Sequence, residues 1–233
     1  MNNWGDSFYV FTSGAALLLS LVGQWFTSIM PGINCWNRRF FRGYFIILML
    51  CCLSGILETA LYYCPVPLQA IHFMMMLECL LLSLPLPMLT VYLLHCCGED
   101  MRKSRLLFAV LSLMAVYAVL IAAAPFIGWY SYVLPDMRYI RRPVYPLLLS
   151  PVVVIMLLNL NGVLQRKKQL SRKLFSGFLI AMLPLTVVLI VQLFVDVFPL
   201  LYISIVLSAL AMYSFVLSDQ IEQDLAHQRE IAN

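Results

Sequence analysis

The chain has 233 residues, of which 63% are hydrophobic and only 11% charged, and its mean hydropathy is +0.91. Such a composition excludes an ordinary soluble domain. The formal charge of +4 is spread over short loops between apolar stretches, so it reads as membrane topology and not as a nucleic-acid-binding surface.

A bilayer core about 30 Å thick calls for roughly 20 apolar residues in helical form. Seven stretches qualify, running approximately from Phe8 to Met30, Tyr44 to Tyr63, Leu68 to His95, Leu106 to Ile127, Val144 to Leu164, Leu174 to Val195 and Phe198 to Leu217. An open sheet cannot satisfy its backbone groups in hydrocarbon, and the period-two alternation of a transmembrane barrel is absent. The expected fold is therefore an all-α membrane protein, a seven-helix bundle over residues 1–217. Residues 218–233 form the start of a cytoplasmic helical linker.

Before the first span, MNNWGDSFYV carries an acid and no basic cluster, unlike a cleavable signal peptide. One set of alternate loops holds Arg38, Arg39 and Arg42, then Arg102, Lys103 and Arg105, then Arg166, Lys167, Lys168, Arg172 and Lys173. With Arg229 in the tail, twelve basic residues fall on that side. Arg138, Arg141 and Arg142 are the three on the other. Basic loops are retained in the cytoplasm, which predicts an external N-terminus, an internal C-terminus and a multi-pass location in the cell membrane.

The second span carries Ser54, Glu58 and Tyr62 every fourth residue, a polar stripe on its outer half. In the third, Gln69 and His72 share a face at similar height. Gln192 and Asp196 do the same in the sixth, and Tyr202 enters the seventh at that level. Ionisable groups in a span cost about 2.5–3.5 kcal/mol on insertion scales, so they mark positions with a purpose. Two arrangements satisfy these residues: a ligand pocket open to the exterior, or interhelical hydrogen bonds that only join the bundle. Glu78 stands apart. It is expected near mid-membrane, turned about 120° from His72 around its helix, where burial demands a partner or a proton.

Pro85, Pro87, Pro125, Pro151 and Pro184 lie inside or near the ends of spans, where each removes a backbone donor and favours a kink. His95, Cys96 and Cys97 are consecutive, so their side chains diverge by about 100° per residue and suit packing better than a shared metal ion. The seven cysteines offer no external disulfide framework, since only Cys64 lies near the outer face. No metal or cofactor is expected.

The one sizeable outer segment runs from Gly128 to Pro146. Its Arg138, Arg141 and Arg142 can grip a carboxylate or phosphate, or rest on lipid headgroups beside an aromatic belt that includes Tyr139 and Tyr145. The patterns HExxH, GxSxG, GxxxxGK[ST] and paired CxxC do not occur, and the seventh span has no lysine for a retinal Schiff base, so the covered chain is not expected to be an enzyme.

After Ser218 the chain turns charged without a Gly or Pro to stop a helix. Leu217, Ile221, Leu225 and Ile231 form a loose apolar seam, the first turns of a coiled coil too short and polar to stand alone. Taken with PDMRYIRRPVYP, the basic QRKKQLSRK, the MLPL of the sixth span and the exit SDQIEQDLAHQREIAN, the chain resembles the seven-helix sensor regions of Gram-positive bacteria. Such regions precede GHKL-type histidine kinases or GGDEF diguanylate cyclases. Within that family's Tyr-x-Arg-Gly-Pro-x-Tyr segment, Tyr139, Arg141, Pro143 and Tyr145 match, while Arg142 replaces the glycine. His227 does not match a phosphoacceptor box, and an output domain is expected downstream or on a separate chain.

The resemblance implies a sensory module of a two-component system that relays an external or bilayer signal through the seventh helix, as a homodimer joined by its C-terminal helix. Its partners would be membrane lipids and the output domain. The rival is a small carrier, which would place its polar groups at mid-membrane on broken helices.

Overall fold

The computed structural model describes residues 4–30, 34–61, 63–64, 66–127, 130–131, 140–141, 145–195 and 198–232. Its helices are α1 (Trp4–Ile29), α2 (Cys35–Leu61), α3 (Leu68–Ser83), α4 (Pro85–Cys96), α5 (Arg105–Ile127), α6 (Tyr145–Gln165), α7 (Arg172–Phe194) and α8 (Phe198–Ala232). A single 3-10 turn, Met101–Lys103, precedes α5. Two-residue strands β1 (Tyr130–Ser131) and β2 (Ile140–Arg141) pair antiparallel between α5 and α6. With α3 and α4 taken together, seven helical segments among the described residues are long and apolar enough to cross a membrane. The molecule is a multi-pass helical bundle. It has a hairpin end, carrying β1 and β2, and a basic end, where the arginine- and lysine-rich connections lie.

Short connections force antiparallel neighbours, and the helices pack in sequence until α8 closes the ring against α1 as well as α7. α2 begins nine residues earlier than the hydropathy boundary at Tyr44 suggests. Arg38, Arg39 and Arg42 thus ride on its first turns and not in a loop, because arginine is a good helix former whose long stem reaches out of an apolar face. The Asn34 side chain accepts from the Trp36 amide at 3.2 Å to start this helix. Arg38 Nη2 donates to the Met30 carbonyl at 2.8 Å, satisfying the end of α1.

The third span bends where the prolines fall. Leu84 keeps helical dihedrals and its amide still donates to the Leu80 carbonyl at 3.2 Å, but Pro85 and Pro87 remove the next donors. Asn159 of α6 braces the bend. Its Nδ2 donates to the Leu86 carbonyl at 3.0 Å, and Thr90 Oγ1 donates to its Oδ1 at 2.6 Å. α6 and α7 continue through Pro151 and Pro184. At Pro151 the Ser150 hydroxyl donates to the Leu147 carbonyl at 2.8 Å, the acceptor that the proline leaves open.

α4 ends in a Schellman motif. Gly98 adopts φ +66°, its amide donates to the His95 carbonyl, and the Glu99 amide donates to the Leu94 carbonyl. That turn aims Glu99 at Arg166, and the two form a forked ion pair, Nε to Oε1 at 2.6 Å and Nη2 to Oε2 at 2.9 Å. The basic-end core is aromatic: Phe41, Phe45, Tyr92 and Phe178 are buried. The His95 ring stacks on Trp36 with centroids 3.4 Å apart, so this histidine is committed to packing.

Removing the Asn159 brace leaves Thr90 without its side-chain acceptor. Asn159→Ala should lower the unfolding free energy of the detergent-solubilised protein by about 0.5–1.5 kcal/mol, read by thermal melting. Arg166 holds the Glu99 carboxyl below its ordinary value of 4.5. Stability from that pair is therefore present above the unfolded carboxylate range and fades as pH falls through the folded value. Between about pH 6 and about pH 3 the wild type should lose up to roughly 1 kcal/mol more than Glu99→Gln; parallel melting curves would show that the ion pair contributes nothing.

Candidate functional site: a buried carboxyl shared by three helices

Glu78 of α3 is 1% exposed. An isolated carboxylate in an apolar interior is very costly, so its surroundings must supply donors or keep it protonated. Two phenols supply them. Tyr9 of α1 and Tyr202 of α8 both donate to Glu78 Oε1, and their hydroxyl oxygens lie 3.1 Å apart. The two rings meet edge to face, with centroids 5.8 Å apart at 83°.

α2 provides the room. A Cβ built on Gly55 would stand 2.6 Å from each tyrosine oxygen and 3.1 Å from Glu78 Oε1, so any side chain there would displace the cluster. Cys51, Cys52 and Cys79 lie within electrostatic reach of the carboxyl and surround it with polarisable sulfur. Among the described residues, no Lys, Arg or His hydrogen-bonds to it. The arrangement is a buried carboxyl held by two phenols at the point where the first, second, third and seventh spans meet.

The polar residues of the hairpin-end half distribute unevenly around this centre. Tyr202 is fully buried and belongs to it. Glu58 is half-buried, within electrostatic reach of Tyr9 and Cys79, so it borders the cluster. Gln69 is exposed and His72 half-buried; α3 turns Glu78 inward in their place, because a carboxyl costs more at the periphery of an apolar bundle than an amide or a neutral imidazole. Gln192 is buried but lines a different space, a mostly apolar cavity of about 30 Å³ with Cys79, Ser83 and Tyr117. That volume holds one or two waters, not a drug-sized ligand.

Glu78 is thus not separate from the polar layer to which Tyr202 belongs, contrary to what residue counting along its span indicates. It lies nine residues past Gln69, where the third span begins, while Tyr9 and Tyr202 lie two residues past Ser7 and Leu200. Equal counts along different spans do not mark equal depths. Tyr62, Asp196, Arg138, Tyr139 and Arg142 lie outside the described residues. Arg141 stands opposite Tyr130 in the β1–β2 pair, and Tyr145 opens α6.

Tyr9 and Gly55 are the members that sequence reasoning missed. Tyr9 is an isolated phenol just inside an apolar span, and Gly55, turned about 100° from Ser54, has no side chain to mark it. Comparison with protein-family models, with curated proteins and with solved structures produced no match.

Deleting both phenolic hydroxyls should strand the carboxyl. Tyr9→Phe with Tyr202→Phe is expected to destabilise the protein by about 1–3 kcal/mol, and adding Glu78→Leu to that pair should restore most of the loss, since removing all the polar partners together is far cheaper than orphaning one. Thermal melts of the three variants in one detergent provide the check; equal stability of the double and triple variants would dissolve the cluster as an energetic unit.

Proposed function

We propose that the chain is a membrane-embedded sensory module. In this reading its N-terminus is external and its basic end cytoplasmic, and α8 relays a change at the buried carboxyl to an output domain of the histidine kinase or diguanylate cyclase kind. The observation that carries the reading is the continuity of α8. It spans 35 residues without a break, about 52 Å at 1.5 Å per residue, against a hydrocarbon core of about 30 Å.

The same rod holds Tyr202 near its start and Asp219 seventeen residues further on, about 25 Å away at 1.5 Å per residue. Asp219, 6% exposed, accepts from Ser171 Oγ at 2.6 Å and from Gln223 Nε2 at 2.8 Å. Ser171 is also the cap of α7, its Oγ accepting from the Leu174 amide at 3.1 Å. Lys173 adds an ion pair to Glu222 at 2.8 Å. α8 is therefore pinned to α1 and α3 near the hairpin end, and to the start of α7 near the basic end. A stimulus that favours one state of the Glu78 cluster biases one pin, and the rod carries that bias to the other.

Beyond the second pin, Ile221 is 49% and Leu225 50% exposed, whereas Leu217 still packs against the core. The seam leaves the body with an open apolar edge, suited to a second copy in parallel. One feature favours the rival carrier reading: the third span bends at Leu84, six residues beyond Glu78.

A ligand-free test uses helical phase. Residues 1–233 are fused to the dimerisation and catalytic domains of a histidine kinase, with one to four residues inserted at the junction. Each insertion rotates the output by about 100°, so autophosphorylation should rise and fall with the helical period, and Glu78→Gln should shift the basal level. A flat response, together with substrate-specific uptake by liposomes containing this chain alone, would favour the carrier.

A further inference from the structure

At the basic end a groove of about 520 Å³ opens between the α4–α5 connection, α5 and the end of α6. Its size falls within the range of small-ligand sites. The mouth is cationic. Lys103 and Arg105 are exposed, and among the described residues neither forms an ion pair. Arg166 stands behind them, fixed by Glu99 on one side and by the Gly162 carbonyl, to which Nη1 donates at 3.2 Å, on the other. Three cations against the one carboxylate leave the mouth with a net positive charge.

Deeper in the groove the chemistry changes. Leu106 and Ala109 follow Arg105 on α5, and Leu158 lies about 10 Å before Gln165 on α6 at 1.5 Å per residue, with the Asn161 amide between them. The crevice narrows where Gly162 lets α6 approach α5; a Cβ there would lie 2.8 Å from Leu106 Cδ2. The groove is thus graded along the span axis, positive at the basic end and mostly apolar further along the helices.

The geometry points to a binding site for an anionic phospholipid of the leaflet at the basic end, its phosphodiester between Lys103 and Arg105 and an acyl chain along Leu106, Ala109 and Leu158. A free anion would need only the mouth. The mostly apolar walls, contiguous with the cationic rim, match an amphiphile, and basic pockets between membrane helices take lipid headgroups by this same combination. Arg166 serves as a positioning residue, since its fork is already filled by Glu99.

The test is native mass spectrometry of the full chain released from vesicles of equal parts phosphatidylcholine and phosphatidylglycerol. The wild type should retain phosphatidylglycerol in preference. Lys103→Gln and Arg105→Gln should each reduce that retention about fivefold, whereas Arg172→Gln, an exposed arginine at the same end but outside the groove, should not. Ala109→Phe, which fills the apolar wall without altering charge, should also lower retention. The site would be overturned by equal retention of both lipids, by an equal loss in Arg172→Gln, by unchanged retention in Ala109→Phe, or by complete displacement of the lipid by inorganic phosphate.

Discussion

A carboxyl group in an apolar helical bundle has few options, and the arrangement around Glu78 follows from them. It needs donors that do not themselves bring in an uncompensated charge, and phenols meet that need: each offers an O–H at the tip of a large apolar ring. Because Tyr9 and Tyr202 come from different helices, satisfying one oxygen also joins α1, α3 and α8. Gly55 completes the fit by offering no side chain where the three groups converge. Four spans are thereby positioned by one polar requirement.

Elsewhere the bundle repeats the device with other chemistry. Asn159 reaches from α6 to a carbonyl at the bend of the third span, and the Glu99–Arg166 fork joins the turn after α4 to the end of α6. Ser171 and Asp219 join α7 to α8. Between lipid-like side chains the hydrophobic effect discriminates poorly among packings, so such directional contacts select one arrangement. In the proposed relay this matters most for α8, which is held at two levels and is exposed from Ile221 to Ala226.

The residues of the candidate site were partly legible beforehand. Glu78 announces itself, because a carboxyl in the middle of MMMLECLLL has to be used, and Tyr202 was already counted among the polar group. Their partnership was not legible. Depth judged by counting residues put them at different levels, and helix stagger and tilt are set by packing between spans, which no single span encodes. Gln69 and His72 share a face with each other, but Gln69 is exposed and His72 only half-buried. The periodicity that groups residues on a helix leaves the rotation of that helix undetermined.

Composition alone determined that the chain crosses a membrane as helices, because unpaired backbone in hydrocarbon is too costly for any other open structure, and apolar length gives the number of crossings. The proline pair located the bend in the third span, since a missing amide acts locally. The charged exit of the last span foretold an extended α8, as nothing in its residues interrupts a helix. Only the tertiary structure decided which phenols answer Glu78, that Gly55 makes the space, and that Asn159 braces the bend. Those facts depend on the relative rotation and height of separate helices, and these are settled jointly by every contact in the bundle.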